Sequence, residues 1–241
     1  MQNTAPVLVL LASLLSLPVA GTAIAGSLED IDKAYTSGDY TTAYRLIKPL
    51  AEQGSPVAQY NLGTMYMNGQ GVPQDYAEAV IWFRKAADQG NVSAESNLGV
   101  MYAFGQGVPQ DCAEAVKWFR KAAERGHAAA QFNIGFMYDN GQGVPQDYAE
   151  AVKWFRKAAD QGHAFAQSSL GVMYALGQGV PQDFVMAHMW FNLAASRYPA
   201  SELERRKDAE TGRDIIASGM TPAQIAEAQK LAREWKPKPT K

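Results

Sequence analysis

An all-α stack of helix–turn–helix units is the fold class this sequence predicts, and three observations predict it. One is a period: Gly63 returns as Gly99, Gly135 and Gly171, and Tyr66, Pro73, Asp75 and Trp82 keep the same 36-residue step to Tyr174, Pro181, Asp183 and Trp190. Periods of this size mark solenoids, in which each unit buries its apolar face only by stacking on its neighbours. The second is an apolar rhythm of helical spacing in both halves of each copy. The third is punctuation: a Gly-x-Gly-Val-Pro run divides the halves, and a glycine closes the unit.

Within the first full copy, Ala58, Leu62, Met65 and Tyr66 follow the i, i+3/i+4 pattern of a helix. Ser55 before Pro56 suits an N-cap with proline at the first helical position, where no amide hydrogen is missed. Gly63 lies inside this helix at a cost of about 1 kcal/mol relative to alanine, and its recurrence at one phase predicts a neighbouring backbone passing close by. Gly69-Gln70-Gly71-Val72-Pro73 ends the helix. Asp75 with Glu78, repeated as Asp111/Glu114 and Asp147/Glu150, predicts a capping box. Tyr76, Ala79, Val80, Phe83 and Ala87 then mark the buried face of a second helix, which Gly90 closes.

The pattern L-G-x-M-Y…G-x-G-V-x-x-D-Y-x-x-A…W-x-x-K-A-A…G resembles the Sel1-like repeat family, relatives of the tetratricopeptide repeats, over about residues 28–196. That resemblance implies a right-handed α-solenoid of hairpins whose first helices line the concave side, with terminal capping helices. It also implies a role in holding other proteins together rather than in catalysis.

Residues 1–25 hold no charged side chain; Val7–Leu17 is apolar, Pro18 breaks the run, and Ala23-Ile24-Ala25 fits a small-x-small cleavage site. A secretory signal peptide cut after Ala25 is the expectation, with an uncleaved anchor as the alternative. The protein is thus expected to be exported, to the periplasm first and to the extracellular space as the other option. Residues 26–54 form a degenerate first unit: Asp39, Tyr40 and Ala43 align with Asp75, Tyr76 and Ala79, but the Gly-x-Gly loop is missing, as suits a cap. Full repeats follow at 55–90, 91–126, 127–162 and 163–198. In the last, Glu150, Lys153 and Lys157 are replaced by Met186, Met189 and Leu193, an apolar stripe that demands a cover. Residues 199–235 supply two further helices, one over Ser201–Ser218 and one opened by Thr221-Pro222-Ala223-Gln224, which similar endings in the family also carry. A basic tail over 236–241 should fray.

Charge and chemistry exclude several classes. Residues 26–196 carry 12 basic and 17 acidic side chains, and residues 197–241 carry 10 and 7, which is not the basic footprint of a nucleic-acid binder. Cys112 is the single cysteine, at the phase of Tyr76 and Tyr148, and reads as a core thiol. There is no H-E-x-x-H, C-x-x-C, G-x-S-x-G, phosphate-binding loop or S-x-x-K, so no catalytic residue, metal or cofactor is expected. A β-lactamase-like or cell-wall-ligand-binding activity, described for some disulfide-rich family members, finds no motif here. His127 and His163 read as solvent-facing turn residues. Arg84/Lys85, Arg120/Lys121 and Arg156/Lys157 read as charges complementing helix C-termini on a solvated face.

Function is expected where near-identical copies disagree. Inner positions of the first helices read Val57, Ser93, Ala129, Phe165; Tyr60, Ser96, Phe132, Ser168; Thr64, Val100, Phe136, Val172; Met67, Ala103, Asp139, Ala175; and Asn68, Phe104, Asn140, Leu176. The candidate partner-binding groove is therefore Tyr60, Asn61, Thr64, Asn97, Phe104, Phe132, Asn133, Phe136 and Phe165. Its aromatics would anchor a partner, and Asn61, Asn97 and Asn133 would form a ladder for an extended backbone. The same aromatics could instead fill gaps between hairpins; periodicity leaves both readings open. The partner would be a protein or peptide, as for an adaptor or for a periplasmic regulator of a signalling pathway.

Overall fold

The structure, a computed structural model, describes residues 21–238, with side chains from residue 29. Most of the expected leader thus lies outside the described residues. Among those described there are twelve α-helices and no strand. They are α1 (Gly21–Thr36), α2 (Tyr40–Glu52), α3 (Pro56–Asn68), α4 (Tyr76–Asp88), α5 (Val92–Phe104), α6 (Cys112–Glu124), α7 (Ala128–Asn140), α8 (Tyr148–Asp160), α9 (Ala164–Leu176), α10 (Phe184–Arg197), α11 (Leu203–Ser218) and α12 (Pro222–Glu234). A short 3₁₀ turn, Ala200–Glu202, precedes α11. The fold class is the α-solenoid of paired helices.

The caps follow from the repeat. First helices α3, α5, α7 and α9 open on Ser55, Asn91, His127 and His163, each accepting an amide hydrogen bond from the residue three places on. They close on Gly69, Gly105, Gly141 and Gly177, all left-handed. Second helices α4, α8 and α10 open on Asp75, Asp147 and Asp183. Asp75 caps both Ala77 and Glu78, at 2.9 and 3.0 Å. The reciprocal half of the expected capping box is not what Glu150 makes: its carboxylate goes to Lys153 at 2.5 Å, as Glu114 goes to Lys117 at 2.7 Å, because a lysine three residues on offers a full charge. The complete box is at Thr221/Gln224.

The chain divides after Asp111 into two compact units. In the first, α1 and α2 bury Ile31, Ala34, Ile47 and Ala51 against Ala58, Leu62 and Met65 of α3. Both a backbone and a side chain crowd Gly63, the Ala79 carbonyl oxygen lying 3.2 Å from where a Cβ would stand. A methyl there would meet the Phe83 ring at 2.8 Å, and Gly135 and Gly171 face Phe155 and Phe191 in the same way. Flat rings thus lie directly on the glycine faces of α3, α7 and α9. A still closer backbone approach is found in the loop: a Cβ on Gly71 or Gly107 would stand 2.2 Å from the carbonyl oxygen of Tyr40 or Tyr76, the first residue of the preceding second helix. A second tie joins hairpins: Gln89 donates to the carbonyl of Gly54 at 2.9 Å and to the Gln59 amide oxygen at 2.8 Å, and Gln59 donates to Ala51 at 3.1 Å.

The second unit repeats these contacts. Gln161 bonds Gly126 and Gln131 at 2.9 and 2.7 Å, and Gly143 and Gly179 approach Cys112 and Tyr148. Cys112 is half-buried, so its thiol is not sealed in the core, as Tyr148 at the same phase is not. The paired basic residues do more than solvate a face. Arg120 donates to the Tyr138 hydroxyl at 2.7 Å, and Arg156 does the same to Tyr174; in the first unit Arg84 reaches Tyr102. Lys85 and Lys157 each lie 4.0 Å from the centroid of the tryptophan three residues before them. Such placement follows from helix geometry at i, i+3 and from the attraction of a cation to a ring face.

The stripe on α10 is covered by α12. Met189 and Leu193 are buried with Ala232, and Leu231, Met186 and Trp235 pack against them. Trp235 meets Trp190 edge-on at 6.5 Å and takes Arg197 on its face at 4.3 Å. On the other side α11 takes the place a next first helix would have, with Gly212 against Phe191. The start of the tail does not fray: Lys238 donates from its backbone to the Asp160 carbonyl and from its ammonium to the Asp160 carboxylate, both at 2.8 Å. The negative end of α8 explains the attraction.

Replacing Gly143 (φ +70°) by alanine combines left-handed strain with a 2.2 Å clash. Gly38 (φ +78°) has nothing within 4 Å. Gly143→Ala should lose about 3 kcal/mol or more and Gly38→Ala about 1 kcal/mol, as read from urea-unfolding midpoints. Equal losses would refute the close approach.

Candidate functional site

First helices carry the variable positions, and the structure sorts them. In the first unit Tyr60 is buried: its ring lies 5.8 Å from that of Phe83, and its hydroxyl is hydrogen-bonded to the side chains of Thr64 and Asn97. Burial pushes the phenol pKa up, and those two hydrogen bonds draw it partly back. Thr64 also donates to the Tyr60 carbonyl at 3.1 Å. Asn61 is buried as well. Tyr60 and Asn61 therefore offer no open surface to a partner, contrary to the reading of the sequence. This phase faces inward, as Ser96 does in the next copy, and the tyrosine there packs on the ring that lies on Gly63. Asn97 is half-buried and committed to Tyr60, so it is not a free rung of an asparagine ladder. Phe104, at the end of α5, is 72% exposed.

The second unit gathers aromatic rings. Phe132 is half-buried, with its centroid 5.7 Å from Phe155, 6.4 Å from Phe136, 5.9 Å from Phe165 and 5.0 Å from His163, on which it stacks at 25°. Phe165 meets Tyr198 edge-on at 5.0 Å. Phe132 and Phe165 thus serve chiefly to fill the gap between α7, α9 and the segment leading to α11. Phe136 lies at the edge of this cluster and is 44% exposed; Asn133 is half-buried. Val172, equivalent to Phe136, is 42% exposed, and Leu176, equivalent to Phe104, is 63% exposed.

His163 is not the solvent-facing turn residue its position suggests. Its Nδ1 accepts from the Ala166 amide at 3.3 Å, and its ring stacks on Phe132 and packs beside Phe165. Burial, helped by the nearby His127, pushes its pKa down to about 4. The sequence signal was available but weak: an imidazole at a cap phase two residues before a phenylalanine. Among the described residues no group of three or more His, Cys, Asp or Glu could hold a metal ion. Among them, too, no helix is long and apolar enough to cross a membrane.

The Sel1 repeat family model matches residues 56–91, 92–127, 128–163 and 164–198, in phase with the helix pairs above. The chain belongs to the Sel1 repeat family. Two solved structures agree. One is a protective antigen of uropathogenic Escherichia coli strains displaying an SLR fold, 35% identical over 89% of this chain and 52% of its own, with a TM-score of 0.67. The other is a Sel1 repeat protein from Oxalobacter formigenes, 30% identical over 86% of this chain and 96% of its own, with a TM-score of 0.68. This chain spans about half the length of the first. No curated protein matches it. Sel1 repeat proteins are generally protein-interaction scaffolds rather than catalysts.

Because Nδ1 must be unprotonated to cap α9, His163 favours the folded state above its ordinary pKa of 6.5. That stability is lost as pH falls from about 6.5 towards 4. The loss should be on the order of 3 kcal/mol. His163→Asn, which copies the Asn91 cap, should remove this part of the pH dependence in urea unfolding at pH 7 and pH 4.5; an unchanged dependence would disprove the assignment.

Proposed function

We propose that this Sel1 repeat protein is an exported, non-catalytic adaptor that binds a protein or peptide on the open face of its first helices. One observation carries the reading. Eight large apolar side chains stand exposed among the described residues, and four of them, Phe104, Phe136, Val172 and Leu176, fall at just two repeat phases of the first helices. Those phases are one helical turn apart, so within a first helix they share one face. They are also the phases at which otherwise near-identical copies differ. In the second unit Phe136, Val172 and Leu176 occupy those phases, with Phe132 and Phe165 as a rigid aromatic floor beneath them. Rigid aromatic and aliphatic anchors lose little freedom on binding and dominate interface energies.

Export rests on the apolar, uncharged leader. Removal after Ala25 would leave the inward-facing Ile31 and Ala34 of α1 in place, so the N-terminal hairpin would keep its contacts with α3.

A photo-crosslinking side chain at position 136 should trap a defined partner in cells, whereas one at Lys153, on an exposed outer position, should not. Combining Phe136→Ala with Leu176→Ala should lower the yield at least tenfold while leaving helical content unchanged. Phe132→Ala should instead cost about 2 kcal/mol of stability, since it empties the ring cluster. Equal trapping at 136 and 153 would end the adaptor reading, as would turnover of a chromogenic β-lactam abolished by one residue change. Mass spectrometry of the exported form should find Gly26 as the first residue.

A further inference from the structure

His188 departs from its own repeat. The equivalent residues on the earlier second helices are Val80, Val116 and Val152, all buried. His188 is as buried, at 3% exposure, yet its Nδ1 has no hydrogen-bond partner. Buried polar side-chain atoms in folded proteins nearly always have one, and leaving one without forfeits the whole hydration of that atom. An imidazole placed where three copies keep valine is therefore a group waiting for something to bond.

One turn further on, Asn192 stands where Arg84, Arg120 and Arg156 stand in the other copies. Those arginines serve the tyrosine of the following hairpin; α10 has no such hairpin to follow it. His188 and Asn192 instead line a cleft of about 430 Å³ walled by α10, α11 and α12, together with Arg213, Asp214, Gln229 and Arg233. That volume is in the range of small-molecule sites.

The charges in the cleft are unequally matched. Arg213 is already engaged by the Asp214 carboxylate at 2.9 Å. Arg233 has no acidic partner among the described residues, and the amides of Asn192 and Gln229 are likewise without hydrogen-bond partners there. Burial and the nearby Arg213 hold the His188 pKa below its usual value, with Asp214 opposing them, so the imidazole enters as a neutral hydrogen-bonding group. What remains is one free guanidinium, two amides and an imidazole around a hollow whose apolar wall is Ala217 and Ile225. A guanidinium fork flanked by amide hydrogens matches a carboxylate.

We infer that this cleft is a carboxylate-binding site: Arg233 takes the carboxylate, Asn192 and Gln229 position it, and His188 bonds the body of the ligand. The carboxylate can belong to a small organic acid or to the free end of a peptide, and the site does not depend on the adaptor surface described above.

The test is calorimetric titration of the full chain with three probes: sodium succinate, the tripeptide Ala-Ala-Ala, and its C-terminal amide. Saturable binding of succinate or of the free tripeptide, but not of the amide, is expected. Binding of succinate would mark a small-acid site, and binding of the tripeptide acid alone would mark a peptide terminus. Arg233→Gln, at an exposed position, should weaken binding at least tenfold. His188→Val, which restores the residue of the other copies, should keep the fold and weaken binding as well. Failure of all three probes to saturate would overturn the inference. So would equal binding of the amide, or binding untouched by both substitutions. Partner trapping at position 136 would be unaffected in each case.

Discussion

The contact on which the rest depends is the passage of a left-handed glycine over the first carbonyl of the preceding second helix. Gly71, Gly107, Gly143 and Gly179 all make it, at a distance that leaves no room for a side chain. It fixes how far one hairpin can rise above the last. With that distance set, Phe83, Phe155 and Phe191 can lie flat on the helical glycines opposite, Gln89 and Gln161 can reach loop carbonyls of their neighbours, and Gln59 and Gln131 can reach the last turns of α2 and α6. Each of these is a short-range tie repeated along the chain, which is how a solenoid becomes stable without a single large core.

This rigidity explains why variation is tolerated where it is seen. The first-helix residue directly after the packed glycine lies toward the rim of the stack, half-buried or exposed, so Thr64, Val100, Phe136 and Val172 can differ without disturbing it. Residues one turn earlier are not free in the same way. Tyr60 and Phe132 both reach the ring on the glycine, and each is drawn into its own unit's interior. The border between scaffold and surface thus runs along the first helices, between consecutive turns.

Much of this was legible in the residues. Hairpin limits, N-caps and the terminal stripe on α10 obey local rules that a periodic sequence states four times over. What periodicity could not decide was depth. Tyr60 and Phe136 belong to one face, yet one is closed over by Phe83 and the other stands clear, because that outcome depends on the reach of a side chain on the following helix. Nor could it show that the basic residues at the ends of second helices grip tyrosines and tryptophans, or that His163 packs against two phenylalanines. Those contacts join residues whose separate neighbourhoods in the chain carry no trace of one another.

The replacement of charged residues by Met186, Met189 and Leu193 also decides how such an array can change its length. With α11 packed against Phe191 and α12 seated on that surface, both sides of α10 are covered and another hairpin of the common type has no place to dock. Growth by duplication is thereby barred at the C-terminal end. Additional 36-residue units would be accommodated only between existing ones, where both flanks of the inserted hairpin meet the surfaces they were shaped for.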